Sequence, residues 1–380
     1  VSVETAQESH EAMTAEQLAE ARQYGRLELI CDLADKAIDL AYLSVFALVA
    51  TIPLDNWLAQ FVERDWLRWG VMFLLVTLGH LAVSFPLSYY AGHKLEHRFG
   101  MSKLTFAGWI WRYLKRNVLA VVFGLLLMLA VFGVIRWTGP WWWLVSAGGS
   151  FLVSVVIAQL APVLIMPLFY KIERIDKPEL AGRMQRLAHG TGLAIEGVYR
   201  MDMSRETVKA NAMLAGLGRT RRVIMGDTLL DGFSPDEIEV IFAHEIGHHV
   251  HRHIPKLIAA GIAFMLAGFW ACDFVLRIWM QQTIGVVDYA ALPVSSLPVL
   301  LLVLTAFSLL LEPVQNVLSR HYERQCDRYA IHRTGLREAY LSAFRKLAVL
   351  NKDDPCPNPV AVFLFHSHPP IAERLAMAEE

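Results

Sequence analysis

The chain has 380 residues, of which 55% are hydrophobic and only 19% charged, with a formal net charge of -1. Soluble globular chains carry about 25% charged residues, so a soluble domain is disfavoured, and the balanced charge excludes the basic footprint of a nucleic-acid binder. Four scattered cysteines, Cys31, Cys272, Cys326 and Cys356, exclude a disulfide scaffold, and the apolar content excludes a disordered chain.

The apolar residues lie in runs. Residues 1–36 are mostly polar and show no cleavable signal-peptide pattern. Six segments then follow that are long and apolar enough to cross about 30 Å of hydrocarbon: 37–54, 70–91, 117–136, 142–168, 257–279 and 292–312. Trp57, Trp66 and Trp69 flank the first loop, and Trp137, Trp141, Trp142 and Trp143 cluster between the third and fourth runs. Such aromatic belts are expected at the headgroup level. Asp39, His80 and Asp273 fall inside spans and are expected to face the protein interior as structural partners. Lys94, Arg98, Lys103, Arg112, Lys115 and Arg116 crowd the loop between spans two and three, and the segment between spans four and five is also basic. The loops after spans one and three are not, which predicts both termini and both large polar segments on the cytoplasmic side.

In the polar stretch after span four, residues 178–192 predict an amphipathic helix with Pro at its start and Gly at its end. Residues 196–227 alternate short apolar stretches with turn residues and carry the strand or hairpin signal. Ser234, Pro235 and Glu237 predict a capping box opening a helix over SPDEIEVIFAHEIGHHVHRH. After span six, 313–350 reads as a long helix and 351–359 as a loop.

The chemistry begins on the capped helix. His244-Glu245-Ile246-Gly247-His248 matches HExxH. Helical residues four apart share a face, so two imidazoles reach one Zn2+ while Glu245 beside them holds the water to be activated. The alternative is a surface histidine cluster, because His249, His251 and His253 follow. Those three are expected to be solvated, interfacial or behind the ligands rather than ligands themselves. A catalytic zinc needs a third protein ligand and an open position. Glu323, in NVLSRHYERQCDRYA, is the best candidate, and Asp327 one helical turn later is placed to accept the second N–H of a ligand histidine.

At this point the chain resembles the Ste24-type CAAX prenyl proteases, integral membrane zinc metallopeptidases of the M48 class, and in particular a bacterial member. The resemblance covers most of the chain. It rests on HKLEHRFGMSKLTFAGWIWRYLKRN (93–117), NAMLAGLGRTRRVIMGDTLLDG (211–232) followed by HEIGH, SRHYERQCD (319–327) and HSHPPIAERL (366–375). It implies that His244, His248 and Glu323 bind zinc, that Glu245 is the general base, and that Asp327 and Arg320 stand behind the ligands. It also implies that Asn211 lies at the edge of the cleft, where a substrate would pair as an extended strand along 211–218, and that His368 of His-Pro-Pro helps hold the oxyanion. Arg374 looks structural. Two departures stand out: Met213 replaces the family's Tyr after Asn-Ala, and six spans are present where eukaryotic members have seven. Cys326 replaces a small Ala, an exchange expected to be tolerated. The HtpX-like membrane peptidases share the zinc core but are shorter and do not explain the 93–117 block.

The expected fold class is an all-α multi-span membrane protein with a zincin-like catalytic domain on the cytoplasmic side that contains a small β-hairpin or edge strand. The expected divisions are a polar segment (1–36), a four-span region (37–168), a catalytic segment with HExxH (169–256), a two-span hairpin (257–312) and a C-terminal catalytic segment with the third ligand (313–380). The expected activity is zinc-dependent endopeptidase hydrolysis with one Zn2+, and CAAX-type C-terminal processing by resemblance. The expected partners are a peptide or protein substrate, prenylated or membrane-embedded, and a bilayer, with a bacterial inner membrane as the location. Competing readings are an HtpX-like quality-control peptidase, a non-catalytic adaptor, which an intact Glu245 argues against, and a transporter, which should show paired interrupted spans in two halves.

Overall fold

The computed structural model describes residues 13–175, 177–193, 195–216 and 221–379. The end of the expected 211–218 strand, Leu217 and Gly218, lies outside the described residues.

Helix α1 (Ala15–Val45) starts at a Thr14–Gln17 capping box and runs on through a π-turn at Phe46–Ala50 to Leu58. Residues 15–36, polar in sequence, are therefore the first turns of the first membrane helix and extend it by roughly 30 Å. Helix α2 (Asp65–Tyr89) ends in a π-turn, Tyr90–Leu95, and a short helical segment, Glu96–Arg98. Next come α3 (Phe106–Thr138) and α4 (Trp142–Leu160). Among the described residues, five helical stretches are long and apolar enough to cross a membrane, and Phe106–Leu168 counts as one of them with 63 residues. A straight helix of that length would measure about 95 Å, far beyond one hydrocarbon core. It breaks at Gly139, whose φ of 55° and ψ of -128° suit only glycine, and α3 and α4 pack on each other as separate crossings.

The other two long apolar helices are α8 (His253–Thr283) and α9 (Ser296–Thr334). The sequence suggested one long helix over 313–350. Instead α9 carries the last apolar run on through Pro313 and ends at Gly335, whose positive φ of 66° breaks the expected helix in two. Helix α10 (Arg337–Asn351) follows.

The membrane half is pinned by polar contacts. Asp39 and His80 pair at 2.7 Å. Asp273 accepts from Trp142 Nε1 at 2.7 Å, from the Tyr289 hydroxyl at 2.6 Å and from Arg277 Nε at 2.7 Å. Two tryptophans assigned to aromatic belts therefore turn inward. Trp142 is 0% exposed because its N–H is taken by Asp273, and Trp69 is 0% exposed, donating to Met128 O at 3.1 Å and stacking on Phe132. Trp57, Trp66, Trp137 and Trp141 stay exposed, as a belt requires.

The extramembrane half contains β1 (Ile172–Arg174), α5 (Pro178–Ala188), β2 (Ile195–Met201), β3 (Ala212–Ala215), β4 (Arg221–Gly226), α6 (Asp227–Gly232) and α7 (Pro235–Val250). After α10 come α11 (Pro359–Phe365) and α12 (Ile371–Glu379). The expected hairpin is present as the antiparallel β3–β4 pair, but it belongs to a larger mixed sheet in the order β1-β2-β4-β3, with β2 and β4 parallel. β3 is an edge strand. The 93–117 block docks beside it: Lys103 N donates to Glu206 O at 2.8 Å, Thr207 Oγ1 to Met101 O at 2.9 Å, and Arg112 pairs with Glu206.

We expect Asp273→Leu to strand the buried donors of Trp142 and Tyr289, at about 1–3 kcal/mol each. The check is a lower thermal unfolding temperature in detergent, with metal content unchanged because the site lies in the other half.

Candidate metal centre

Ser234 and Glu237 form the predicted capping box, with Pro235 at the first helical position, so the start of α7 is fixed and with it the face that carries the histidines. The apolar residues Ile238, Val240, Ile241, Phe242 and Ile246 bury α7 in the core. Its remaining face meets α9. A Cβ on Gly247 would lie 3.0 Å from Cys326 Cα and 3.1 Å from Cys326 Sγ, so the two helices touch at the glycine of HEIGH.

That contact brings the ligand candidates together. His244 Nε2 lies 3.2 Å from Glu323 Oε2, and His248 Nε2 lies 3.3 Å from Glu323 Oε1. His244 Nδ1 is 2.9 Å from Asp327 Oδ1, which fixes the imidazole with Nε2 inward. Arg374 on α12 grips Asp327 with a two-pronged contact, Nε to Oδ2 at 2.9 Å and Nη2 to Oδ1 at 2.7 Å. The ligand atoms of His244, His248 and Cys326 also lie within 4.8 Å of one another, so a thiol adjoins the donor set. This His/His/Cys cluster is able to hold a metal ion, and the Glu323 carboxylate faces both Nε2 atoms.

The charges follow from burial and pairing. Burial opposes a charged His244, but hydrogen bonds to Asp327 and Glu323 outweigh it and raise its pKa to about 10. A metal entering the site displaces that proton. Burial also raises the Glu245 carboxyl, against the pull of His244 and His248 and of a hydrogen bond from the Leu214 backbone. Glu245 is thereby moved towards neutrality and tied to the edge strand β3.

The other site residues are spread around the same cleft. His368 Nδ1 reaches to 2.9 Å from Glu323 Oε2, while His366 contributes its carbonyl to Arg320 at 2.5 Å. Arg320 also donates to Val362 O at 2.7 Å, so it secures the end of α11 and the loop bearing His368. Asn211 lies at the start of β3 and, with His244, Glu245, Glu323 and His368, lines a cavity of about 740 Å³. Of the trailing histidines, His249 bridges Arg221 and Thr191 O, and His251 stacks beside His253, both away from the ligand candidates. His253 does reach the centre, touching His248. Sequence reading missed the far wall of the cavity, which α1 supplies through Arg22, Arg26, Glu28 and Asp32. The polar, charge-rich stretch before the first apolar run was the available signal.

A capped helix carrying HExxH, crossed by a membrane helix that presents a carboxylate, defines a membrane-bound metallopeptidase. The comparisons agree. Residues 2–171 match the family described as CAAX prenyl protease N-terminal, five membrane helices, and residues 174–380 match Peptidase family M48. The chain is 28% identical to the metalloprotease YhfN of Bacillus subtilis, over 97% of this chain and 87% of that one. It is 28% identical to CAAX prenyl protease 1 of Saccharomyces cerevisiae, over 91% and 80%. It shares its fold with the crystal structure of S. mikatae Ste24p, with a TM-score of 0.85 and 24% identity over 97% and 90% of the two chains. The chain belongs to peptidase family M48 and is a zinc-dependent membrane metalloendopeptidase of the CAAX-protease type.

Gly247→Ala should force α7 off α9 and destabilise the protein by about 1–3 kcal/mol. Thermal unfolding and metal content should both fall, and Cys326→Gly in the same chain should restore part of each. A second expectation concerns pH. His244 has its folded pKa raised above the ordinary value, so in chelator-treated protein its stabilisation is complete below about 6.5 and is lost as pH rises through about 10. The unfolding temperature of the metal-free protein should therefore fall from pH 7 to 10 more steeply than that of Asp327→Asn.

Proposed function

We propose that one Zn2+ is held by His244 Nε2, His248 Nε2 and the Glu323 carboxylate. The observation that carries this reading is the convergence of both Nε2 atoms on Glu323 at 3.2 and 3.3 Å. Neighbouring ligands of a tetrahedral zinc with bonds of 2.0–2.1 Å stand about 3.4 Å apart. The chemistry of the donors agrees: the buried Glu323 carboxylate is faced by ring nitrogens of His244, His248 and His368, a cluster of the kind that holds a cation. Cys326 is the weaker third donor. Its Sγ also faces a competing partner, His253 Nδ1, at 3.6 Å.

When bound, zinc polarises the scissile carbonyl and lowers the pKa of a water towards 7. Glu245 takes that water's proton on its carboxylate and passes it to the leaving amine. Asp327, held by Arg374, keeps the His244 Nδ1 proton in place. His368, which lies beside Glu323, donates to the developing oxyanion, and Asn211 donates to the same centre or to substrate backbone. The substrate lies extended along the free edge of β3, held by main-chain bonds. Such pairing needs only backbone at Met213, so the missing tyrosine removes a side-chain contact and leaves the strand intact.

The substrate class we propose is the C-terminal tail of a CAAX-type protein, prenylated or otherwise membrane-borne. Support comes from the relatives named CAAX prenyl protease and from the N-terminal family match. We place both termini and the active site on the cytoplasmic side on the strength of the Lys and Arg distribution, and the membrane as a bacterial inner membrane on the likeness to the Bacillus subtilis relative.

The test is hydrolysis in detergent of a farnesylated CAAX peptide and its unlipidated twin, with zinc quantified in each sample. Glu245→Gln should retain zinc and lose about 10²–10⁴-fold in rate. Preference for the lipidated peptide supports CAAX processing. Equal cleavage of both points to a general membrane quality-control peptidase, and zinc retained in Glu323→Gln overturns the ligand set.

A further inference from the structure

HExxH places two histidines on the metal, and each needs a partner on its other ring nitrogen to fix which nitrogen carries the proton. For His244 that partner is Asp327. Among the described residues no carboxylate is paired with His248 Nδ1. Its Nδ1 lies instead 3.1 Å from Nδ1 of His253.

His253 is built into this position. Arg252 takes a left-handed backbone conformation, with φ 55° and ψ 41°, and this turns the chain sharply between α7 and α8. The first residue of α8 is thereby returned beneath the last turn of α7. His253 is 0% exposed and lies flat on the Tyr322 ring, with centroids 4.2 Å apart and planes 15° apart. On its far side, Nε2 lies 2.8 Å from Gln325 Oε1, and Gln325 Nε2 lies 3.0 Å from His321 Nε2.

The proton positions follow from this order. Gln325 Oε1 only accepts, so His253 carries its proton on Nε2 and a lone pair on Nδ1. Cys326 Sγ, 3.6 Å away, supplies a second donor towards the same lone pair. His248 must then carry its own proton on Nδ1, which leaves the Nε2 lone pair facing Glu323. The reverse order would put a proton on His248 Nε2 and block ligation.

We propose that His253 is the positioning residue of His248: its Nδ1 accepts a hydrogen bond from His248 Nδ1–H, and Gln325 in turn holds His253 in the accepting form. This rests on the ligand set proposed above. The two ligand histidines are then oriented by unlike partners, a carboxylate for His244 and a neutral imidazole for His248.

The experiment measures zinc affinity of the full-length protein in detergent by competition with a chromophoric chelator. His253→Phe keeps a flat ring against Tyr322 but has no acceptor, and zinc should bind about 10–100-fold more weakly. His253→Asn returns a carbonyl near the Nδ1 position and should recover most of the loss. An unchanged affinity in His253→Phe overturns the inference, and so does an Asn variant as weak as Phe, because the loss then reflects packing. If His253→Phe does not fold, Gln325→Leu, at a half-buried position, decides: a several-fold loss supports the relay and no change overturns it. Wild type with one zinc and Glu323→Gln without it serve as controls. Failure of either control removes the ligand set itself, a different result from failure of the His253 variants alone.

Discussion

The close crossing of α7 on α9 is the constraint on which the site depends. At Gly247 and Cys326 the helices approach so nearly that a single added carbon would meet Cys326 at 3.0–3.1 Å and make the neighbouring helix give way. Only at that distance do His244 and His248 from one helix meet Glu323 and Asp327 from the other. Membrane packing sets the distance from outside the site, because α9 is one unbroken helix from Ser296 to Thr334 and α8 starts at His253, directly beside His248. The centre is thus fastened to a rigid bundle rather than carried on loops, as a metal site with an open position requires.

Charge completes what packing begins. Asp327, 0% exposed, would be costly alone, and it is matched by His244 on one side and the Arg374 fork on the other. Arg374 also rests on the Phe344 ring at 4.1 Å, which ties α12 and α10 to the same network. The substrate side is assembled from farther away. The edge strand β3 contributes the Leu214 contact to Glu245, the 93–117 block braces the loop leading into β3, and the polar half of α1 closes the opposite wall. The cleft therefore draws on both halves of the chain, in keeping with the two family matches that together span it.

Much of this was legible in order along the sequence. Apolar runs mark the crossings because hydrocarbon tolerates little else, and the capping box of Ser234 and Glu237 marks the start of α7 because it satisfies that helix's own free N–H groups. Both are local requirements, and local requirements are written locally. The parallel pairing of β2 with β4 was not legible, since its partners are separated by β3 and its loops. Nor was the inward turn of Trp142, which follows from an Asp273 on another helix that nothing in the Trp-rich segment announces. The long helix expected over 313–350 was wrong in its bounds: it begins within the last apolar run at Ser296, and Gly335 supplies a left-handed exit before a separate helix starts at Arg337.

The sequence by itself determined the membrane class, the HExxH helix and the residue types able to hold zinc, because spacing on one helix fixes which side chains share a face. Which distant carboxylate answers those histidines was narrowed by sequence to Glu323 and given a position only by the fold. The position of His253 was decided by tertiary structure alone. Its place depends on a single left-handed residue and on a tyrosine from α9 beneath its ring, and neither the turn nor the stacking partner has a signature in the chain order.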